Sequence, residues 1–198
     1  MMHERRFNPS RAHLLEDPER KTWLPPDEVV AALELRQGES VVDIGAGTGY
    51  FALPMAGIVG PNGRIFAVDV APQMLSRLQN KLAEAGIGNV RCVEGEASCT
   101  GLPSACAHVV FMANVWHEFD DHGAVLAEAR RLLKPGGRLA ILDWRPDAEP
   151  EHGPPTSHRV AASAARSSLE ATGFIVHYAR NIGRHSWMLI ADGSLSVT

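Results

Sequence analysis

The sequence is short of several things, and each shortage closes off a class of protein. Of 198 residues only three are cysteine: Cys92, Cys99 and Cys106. An odd count this small does not make a disulfide scaffold. Their even spacing of seven fits no common metal motif, so ordinary buried or partly buried thiols are expected. No apolar run approaches the ~20 residues that span a bilayer. The opening Met1-Met2-His3-Glu4-Arg5-Arg6 leads into no apolar segment of the kind a secretory leader carries. An excess of one charge is also missing. Nineteen Lys and Arg face 23 Asp and Glu, a net charge of −4. That balance argues against nucleic acid or a membrane surface as an electrostatic partner. There is no internal repeat, and nothing in the sequence sets an oligomeric state. The expectation is one cytoplasmic domain with no nucleic-acid partner and no membrane partner.

What is present reads as strand and helix in alternation. After a polar, charged start, Trp23-Leu24-Pro25-Pro26 punctuates the chain. Asp27 is placed to cap a helix whose apolar side is Val29, Val30, Ala32, Leu33 and Leu35. Strands are expected over 40–44, 64–68, 90–93, 108–113 and 138–144. Helices are expected over 50–58, 72–85 and 124–133, with Pro72 suited to a first helical turn. Residues 145–157 are linker-like, rich in Pro, Gly, Asp and Glu. A helix over 160–171 and an antiparallel pair at 174–178 and 186–190 follow, with a frayed tail from Asp192. The 108–113 strand is nearly all apolar, as a strand covered on both faces should be. This pattern predicts an α/β, Rossmann-like fold: an open, mostly parallel seven-stranded sheet with helices on both faces and a C-terminal antiparallel strand. One domain over 1–198 is expected: a helical extension (1–37), a cofactor-binding core (38–144), and a linker, helix and two last strands (145–198).

Ligands of such sheets bind at the carboxyl ends of the strands, near the topological switch point. There the sequence places Asp43-Ile44-Gly45-Ala46-Gly47-Thr48-Gly49-Tyr50. Three glycines at every second position bring bare backbone close to a ligand, ahead of a helix N-terminus. A dinucleotide loop would read G-x-G-x-x-G, but Tyr50 takes the place of the late glycine. Asp43, two residues ahead of Gly45, opposes an anionic pyrophosphate and suits a cationic ammonium or sulfonium. Asp69, about 20 residues on, is placed to accept from ribose hydroxyls. Together these describe a nucleoside with a positively charged tail, such as S-adenosylmethionine.

The chain resembles a class I S-adenosylmethionine-dependent methyltransferase. Val41–Gly49 is similar to that family's first motif, and Phe66-Ala67-Val68-Asp69 to its acidic second-strand end. Arg131-Leu132-Leu133-Lys134-Pro135-Gly136-Gly137-Arg138-Leu139 is similar to its "LKPGG" segment. The resemblance covers roughly 38–144, and the flanks are similar to small bacterial members of the ubiquinone/menaquinone-methyltransferase-like branch. It implies S-adenosylmethionine as cofactor and S-adenosylhomocysteine as product. By resemblance, Gly45, Ala46 and Gly47 hold the methionine end, with Asp43 near its amino group. Asp69 takes the ribose, Val70 and Met74 pack on adenine, and Ala113 and Asn114 line the methionine moiety. Where the family often has Asp before a small residue, contacting the adenine amine, this chain has Glu96 before Ala97.

His117-Glu118-Phe119-Asp120-Asp121-His122 misses the zinc signature H-E-x-x-H by one position. Imidazoles at i and i+5 of a helix diverge by well over a right angle, so no metal is expected here. His117 and Glu118 fall just past the fourth strand, where an acceptor would enter. Two roles are open to His117: a general base for the acceptor proton, with Glu118 beside it, or a backbone hydrogen bond of purely structural value. Trp116, Phe119 and Tyr50 either shape an acceptor pocket or belong to the core. His158-Arg159 either closes over the site or begins a solvated helix. After the fourth strand stands Asn114-Val115-Trp116-His117, not the Asn-Pro-Pro-Tyr-like tetrapeptide of nucleic-acid amino-methylating enzymes. The expected activity is methyl transfer to a small-molecule acceptor. An NAD-dependent oxidoreductase and a non-catalytic S-adenosylmethionine-binding protein are the alternatives.

Overall fold

Period-two alternation in the strands becomes a sheet with two buried faces. In β1 (Ser40–Ile44), Val41 joins one core while Val42 and Ile44 join the other. β2 (Arg64–Asp69) divides likewise, Ile65 and Ala67 from Val68, and β4 (Ala107–Ala113) divides Val109 and Phe111 from Val110 and Met112. Successive side chains of a strand point to opposite faces, so a strand apolar throughout must be covered twice. The computed structural model describes residues 6–149 and 151–193. The charged opening at 1–5 and the tail at 194–198 lie outside the described residues.

On one face lie α2 (Pro26–Ala32), α3 (Ala52–Val59) and α4 (Pro72–Glu84), which contribute Val29, Val30, Met55, Leu78 and Leu82 to the first core. The short α1 (Arg20–Trp23) precedes them. On the other face, α5 (His122–Leu132) and α6 (Ala162–Ala171) supply Val125, Leu126, Ala129, Ala165 and Leu169. Each fully buried large aliphatic or aromatic side chain of these cores contributes roughly 1.5–3 kcal/mol.

With β3 (Val90–Glu94), β5 (Leu133–Trp144), β6 (Ile175–Ile182) and β7 (Ser186–Asp192), the sheet order is β3-β2-β1-β4-β5-β7-β6. β3, β2, β1, β4 and β5 are parallel, and β7 runs antiparallel to both β5 and β6. The expected architecture is present. Its order reverses between β1 and β4, which places a switch-point crevice at their carboxyl ends.

Several local expectations are corrected. Asp27 caps nothing: the α2 N-cap is Pro25, with no side-chain capping bond. β5 begins at Leu133, and an irregularity between the Ala107–Leu133 and Val109–Arg138 pairs absorbs the Pro135-Gly136-Gly137 turn. Asp192 is not frayed, because it pairs with both Arg138 and Ile175. Cys92 and Cys106 are partly buried as expected, but Cys99 is exposed.

Candidate active site

At the carboxyl ends of β1, β2, β4 and β5 the chain encloses a cavity of about 1100 Å³. Every cofactor and catalytic residue singled out from the sequence lines it. Asp43, Gly45, Ala46 and Gly47 come from the end of β1 and its loop, and Asp69, Val70 and Met74 from β2 and the start of α4. Glu96 and Ala97 follow β3, and Ala113, Asn114, His117 and Glu118 come from the end of β4 and the turn after it. Chain order scattered these groups; the parallel sheet collects them at one edge.

The glycine loop is fastened from below. The N–H groups of Gly45 and Ala46 both donate to the Val68 carbonyl, at 2.8 and 3.0 Å. Gly45 has φ +75° and Gly47 φ +54°, a region that side chains disfavour. A Cβ on Gly45 would fall 2.5 Å from Val115 Cγ1, whereas one on Gly47 would meet only Leu15 Cδ1, at 3.6 Å. Packing therefore excludes a side chain at Gly45. At Gly47 the limit is the backbone angle together with whatever approaches through the cleft.

Asp69 is already engaged. Its Oδ2 accepts from the Gly47 N–H at 2.8 Å and its Oδ1 from the Ala71 N–H at 2.9 Å. Each oxygen keeps further acceptor capacity for a hydroxyl. Burial raises its pKa, and the backbone donors only partly oppose that. Asp43 is 2 % exposed. Among the described residues no protein group donates to its carboxylate. Burial first, then the nearby negative charge of Asp69, push its pKa up to about 7. Asn114 adopts φ +58°, and both polar atoms of its amide are buried without a partner. A buried acid lacking a cation on the wall of the cleft fits the ammonium end of a zwitterionic ligand.

A charged cluster occupies the next edge. His117 is 4 % exposed and Asp143 fully buried. Asp143 Oδ2 accepts from the His117 backbone N–H at 2.7 Å, and Asp143 Oδ1 from the His117 ring Nδ1 at 2.9 Å. Asp143 Oδ1 also accepts from the Trp144 N–H at 2.7 Å. Because a carboxylate only accepts, Nδ1 carries the hydrogen and the Nε2 lone pair is left free. Nε2 stands 4.0 Å from Glu118 Oε1. Burial pulls the His117 pKa down, but the hydrogen bond and charge of Asp143 outweigh it, and the net direction is up. Burial also drives Glu118 up to about 7, against the opposing pull of His117.

Asp143 escaped the sequence reading. Its signal was one acid inside the apolar run Leu139-Ala140-Ile141-Leu142-Asp143-Trp144, where a charge is expensive unless partnered. The N-terminal segment also escaped. Phe7, Asn8, Arg11, Leu14 and Leu15 line the cleft. The Phe7 N–H donates to Glu118 Oε1 at 3.2 Å, and Arg6 Nη2 lies 3.0 Å from Glu96 Oε2. Glu96 is thus shared with a cation, so the adenine contact expected of it has a competitor.

Of the three aromatics left open, Trp116 belongs to the core. It is fully buried and stacks on His122 at 4.1 Å, while Phe119 and Tyr50 line the cleft. His122 Nε2 donates to the Trp116 carbonyl at 3.0 Å. Arg159 is neither lid nor solvated helix start: it is 7 % exposed and binds four backbone carbonyls. His158 does line the cleft.

A crevice at the switch point, a glycine loop and two acids at adjacent strand ends define a nucleoside-binding α/β protein whose ligand carries a cationic tail. Comparison with known proteins gives the family. A methyltransferase-domain model matches residues 41–137. The ubiquinone/menaquinone biosynthesis C-methyltransferase UbiE of Marinomonas sp. (strain MWYL1) is 34 % identical over 117 residues, 58 % of this chain and 47 % of that one. Its counterpart in Stutzerimonas stutzeri (strain A1501) is 37 % identical over 114 residues, 55 % and 43 % of the two chains. A SAM-dependent methyltransferase from Aquifex aeolicus superposes with TM-score 0.90 at 29 % identity, over 96 % of this chain and 100 % of that one. Residues 41–137 belong to the methyltransferase-domain family, and the chain as a whole carries the fold of a class I S-adenosylmethionine-dependent methyltransferase. Membership makes S-adenosylmethionine the cofactor and S-adenosylhomocysteine the product, and does not favour the oxidoreductase or non-catalytic alternatives. The chain spans about half the length of the curated relatives it matches.

Proposed function

We propose that this protein transfers a methyl group from S-adenosylmethionine to a small-molecule acceptor, with His117 as the base that receives the acceptor's proton. The observation that carries the reading is Asp43, a buried carboxylate on the wall of the glycine-loop cleft with no protein donor among the described residues. The bound cofactor supplies a methyl group already activated on a sulfonium. The residues do the rest. Asp43 holds the ammonium of the methionine end against the Gly45–Gly47 backbone, and Asn114 lines the methionine moiety. Asp69 accepts from the ribose, Val70, Met74 and Ala97 pack on the base, and Ala113 backs the methionine chain.

On the acceptor side, Asp143 fixes His117 with Nδ1 protonated, so Nε2 is the atom that takes a proton. The raised pKa strengthens it as a base, and Glu118 beside Nε2 favours the imidazolium that forms. Positioning accounts for the larger share of the rate, because alignment alone can be worth about 7–11 kcal/mol. A cytoplasmic location and the absence of nucleic-acid and membrane partners belong to this proposal. Among the described residues no helix is long and apolar enough to cross a membrane.

The test is transfer of labelled methyl from S-adenosylmethionine into a fractionated cell extract. A precursor of ubiquinone or menaquinone forms one arm, because the curated relatives are named as C-methyltransferases of ubiquinone/menaquinone biosynthesis. Enzyme-dependent label in the small-molecule fraction is the expected result. Label confined to protein or nucleic acid, or no transfer by a chain that binds the cofactor, would overturn it.

A further inference from the structure

One cluster beside the cleft has no part in methyl transfer as described. Glu151 and His152 stand on the loop after β5, and His185 on the turn between β6 and β7. One ligand atom from each lies within 4.8 Å of the other two. We propose that Glu151, His152 and His185 bind a divalent ion of the zinc class. Glu151 and His152 also line the cleft. The ion would therefore be reachable from it, with a fourth position open to water or to an oxygen or sulfur of a ligand.

The donor set selects the metal. Two imidazoles and one carboxylate suit zinc, which takes three such ligands and leaves one site open. Magnesium and calcium prefer oxygen throughout. The ring nitrogens are also available. His185 is 5 % exposed, yet its Nδ1 is buried with no hydrogen-bond partner. Among the described residues no protein group hydrogen-bonds a ring nitrogen of His152. Buried polar atoms left bare are uncommon and call for a partner.

The cluster is held in place before any ion arrives. The His152 ring stacks on Trp23 at 4.5 Å and 14°, and His185 meets both rings edge-on, at 6.2 Å from Trp23 and 5.3 Å from His152. Arg159 pins the loop by donating to the carbonyls of Arg145, Ala148, His152 and Pro154. Gly153, at φ +81°, lies so close to Trp144 that a Cβ would fall 2.6 Å from the ring. Ring packing alone explains the stack but not the bare nitrogen or the acid beside two imidazoles. Tetrahedral zinc needs its donors about 3.3 Å apart. The exposed Glu151 side chain can supply much of that closure by rotation. Sequence spacing gave no hint, because His185 lies far along the chain from the other two.

The full-length chain, stripped with a chelator and dialysed, is titrated calorimetrically with Zn²⁺ and separately with Co²⁺ followed by absorption. One ion per chain is expected, with a tetrahedral Co²⁺ spectrum lacking a thiolate charge-transfer band. His152→Ala and Glu151→Gln should each weaken binding by at least the ~10–100-fold that loss of an outer-shell partner costs. Their far-ultraviolet circular dichroism should not change. Cys99→Ser, which removes the exposed thiol, should bind normally. Should His152→Ala lose structure, Glu151→Gln carries the test, since Glu151 lies outside the ring stack. Absence of stoichiometric binding, binding untouched by Glu151→Gln, or binding abolished by Cys99→Ser would each overturn the assignment.

Discussion

Asp143→Asn separates a positioned histidine from one that merely sits near the cleft. The carboxylate accepts three hydrogens in the folded chain: the His117 and Trp144 backbone N–H groups, both at 2.7 Å, and His117 Nδ1–H at 2.9 Å. The two backbone donors fall on different oxygens. The substitution replaces one of those oxygens with an NH₂, so whichever way the new amide turns, a buried donor faces a donor. An unsatisfied buried group costs about 1–3 kcal/mol. Loss of the charge that faces His117 adds to this, and breaking a buried pair typically costs about 3–5 kcal/mol in total. For a chain of this size each kcal/mol moves the midpoint by about 2–4 °C. A fall on the order of 6–20 °C is therefore expected from the two figures together.

The pH dependence carries a sign. The folded pKa of His117 is raised above its ordinary 6.5. Its protonated contribution is thus complete below about 6.5 and is lost as pH climbs through the folded value. Denaturant melts of wild type and Asp143→Asn at several pH values should show the widest gap at and below about pH 6.5. The gap should narrow in mild alkali without closing, because the backbone donors still need the carboxylate. A variant within about 1 kcal/mol of wild type at every pH would refute the reasoning.

Three further outcomes are expected. Gly47→Val places a β-branched residue at φ +54° with only Leu15 nearby, so it should fold, destabilised by about 1–3 kcal/mol of backbone strain, yet lose cofactor binding; normal binding would mean the ligand does not lie on the loop. Asp69→Ala should weaken cofactor affinity by about 1.5–3 kcal/mol. It should also lower the melting temperature by freeing the Gly47 and Ala71 N–H groups, and calorimetry showing unchanged affinity in a folded variant would remove the ribose assignment. His117→Ala should cut turnover by roughly 10²–10⁴ while sparing cofactor affinity; the wild-type rate should rise with pH through a transition above 6.5, and full turnover in the variant would end its role as base.

Much of this site was legible because its chemistry is local. Asp43 and the glycines are neighbours in sequence, Asp69 ends a strand that alternation marks plainly, and parallel strands must deliver their carboxyl ends to one edge. What could not be read depends on long-range approach. Asp143 meets His117 across 26 residues because β4 and β5 are paired neighbours. The N-terminal segment reads as polar chain, and only its packing against Glu118 and Leu15 against the glycine loop reveals a wall of the cleft. Trp116, left open between pocket and core, and Arg159, read as lid or helix start, could not be placed for the same reason. Side-chain type alone does not say whether an indole faces a cavity or a core, nor whether a guanidinium is spent on carbonyls.

The glycine-loop cleft should hold a nucleoside whose tail carries positive charge. Calorimetric titration of the full-length chain with S-adenosylhomocysteine, repeated in the presence of NAD, tests it most directly. One site per chain is expected, with affinity in the micromolar range, around −8 kcal/mol, abolished by Gly47→Val and indifferent to NAD. Binding of NAD with none of S-adenosylhomocysteine would contradict it.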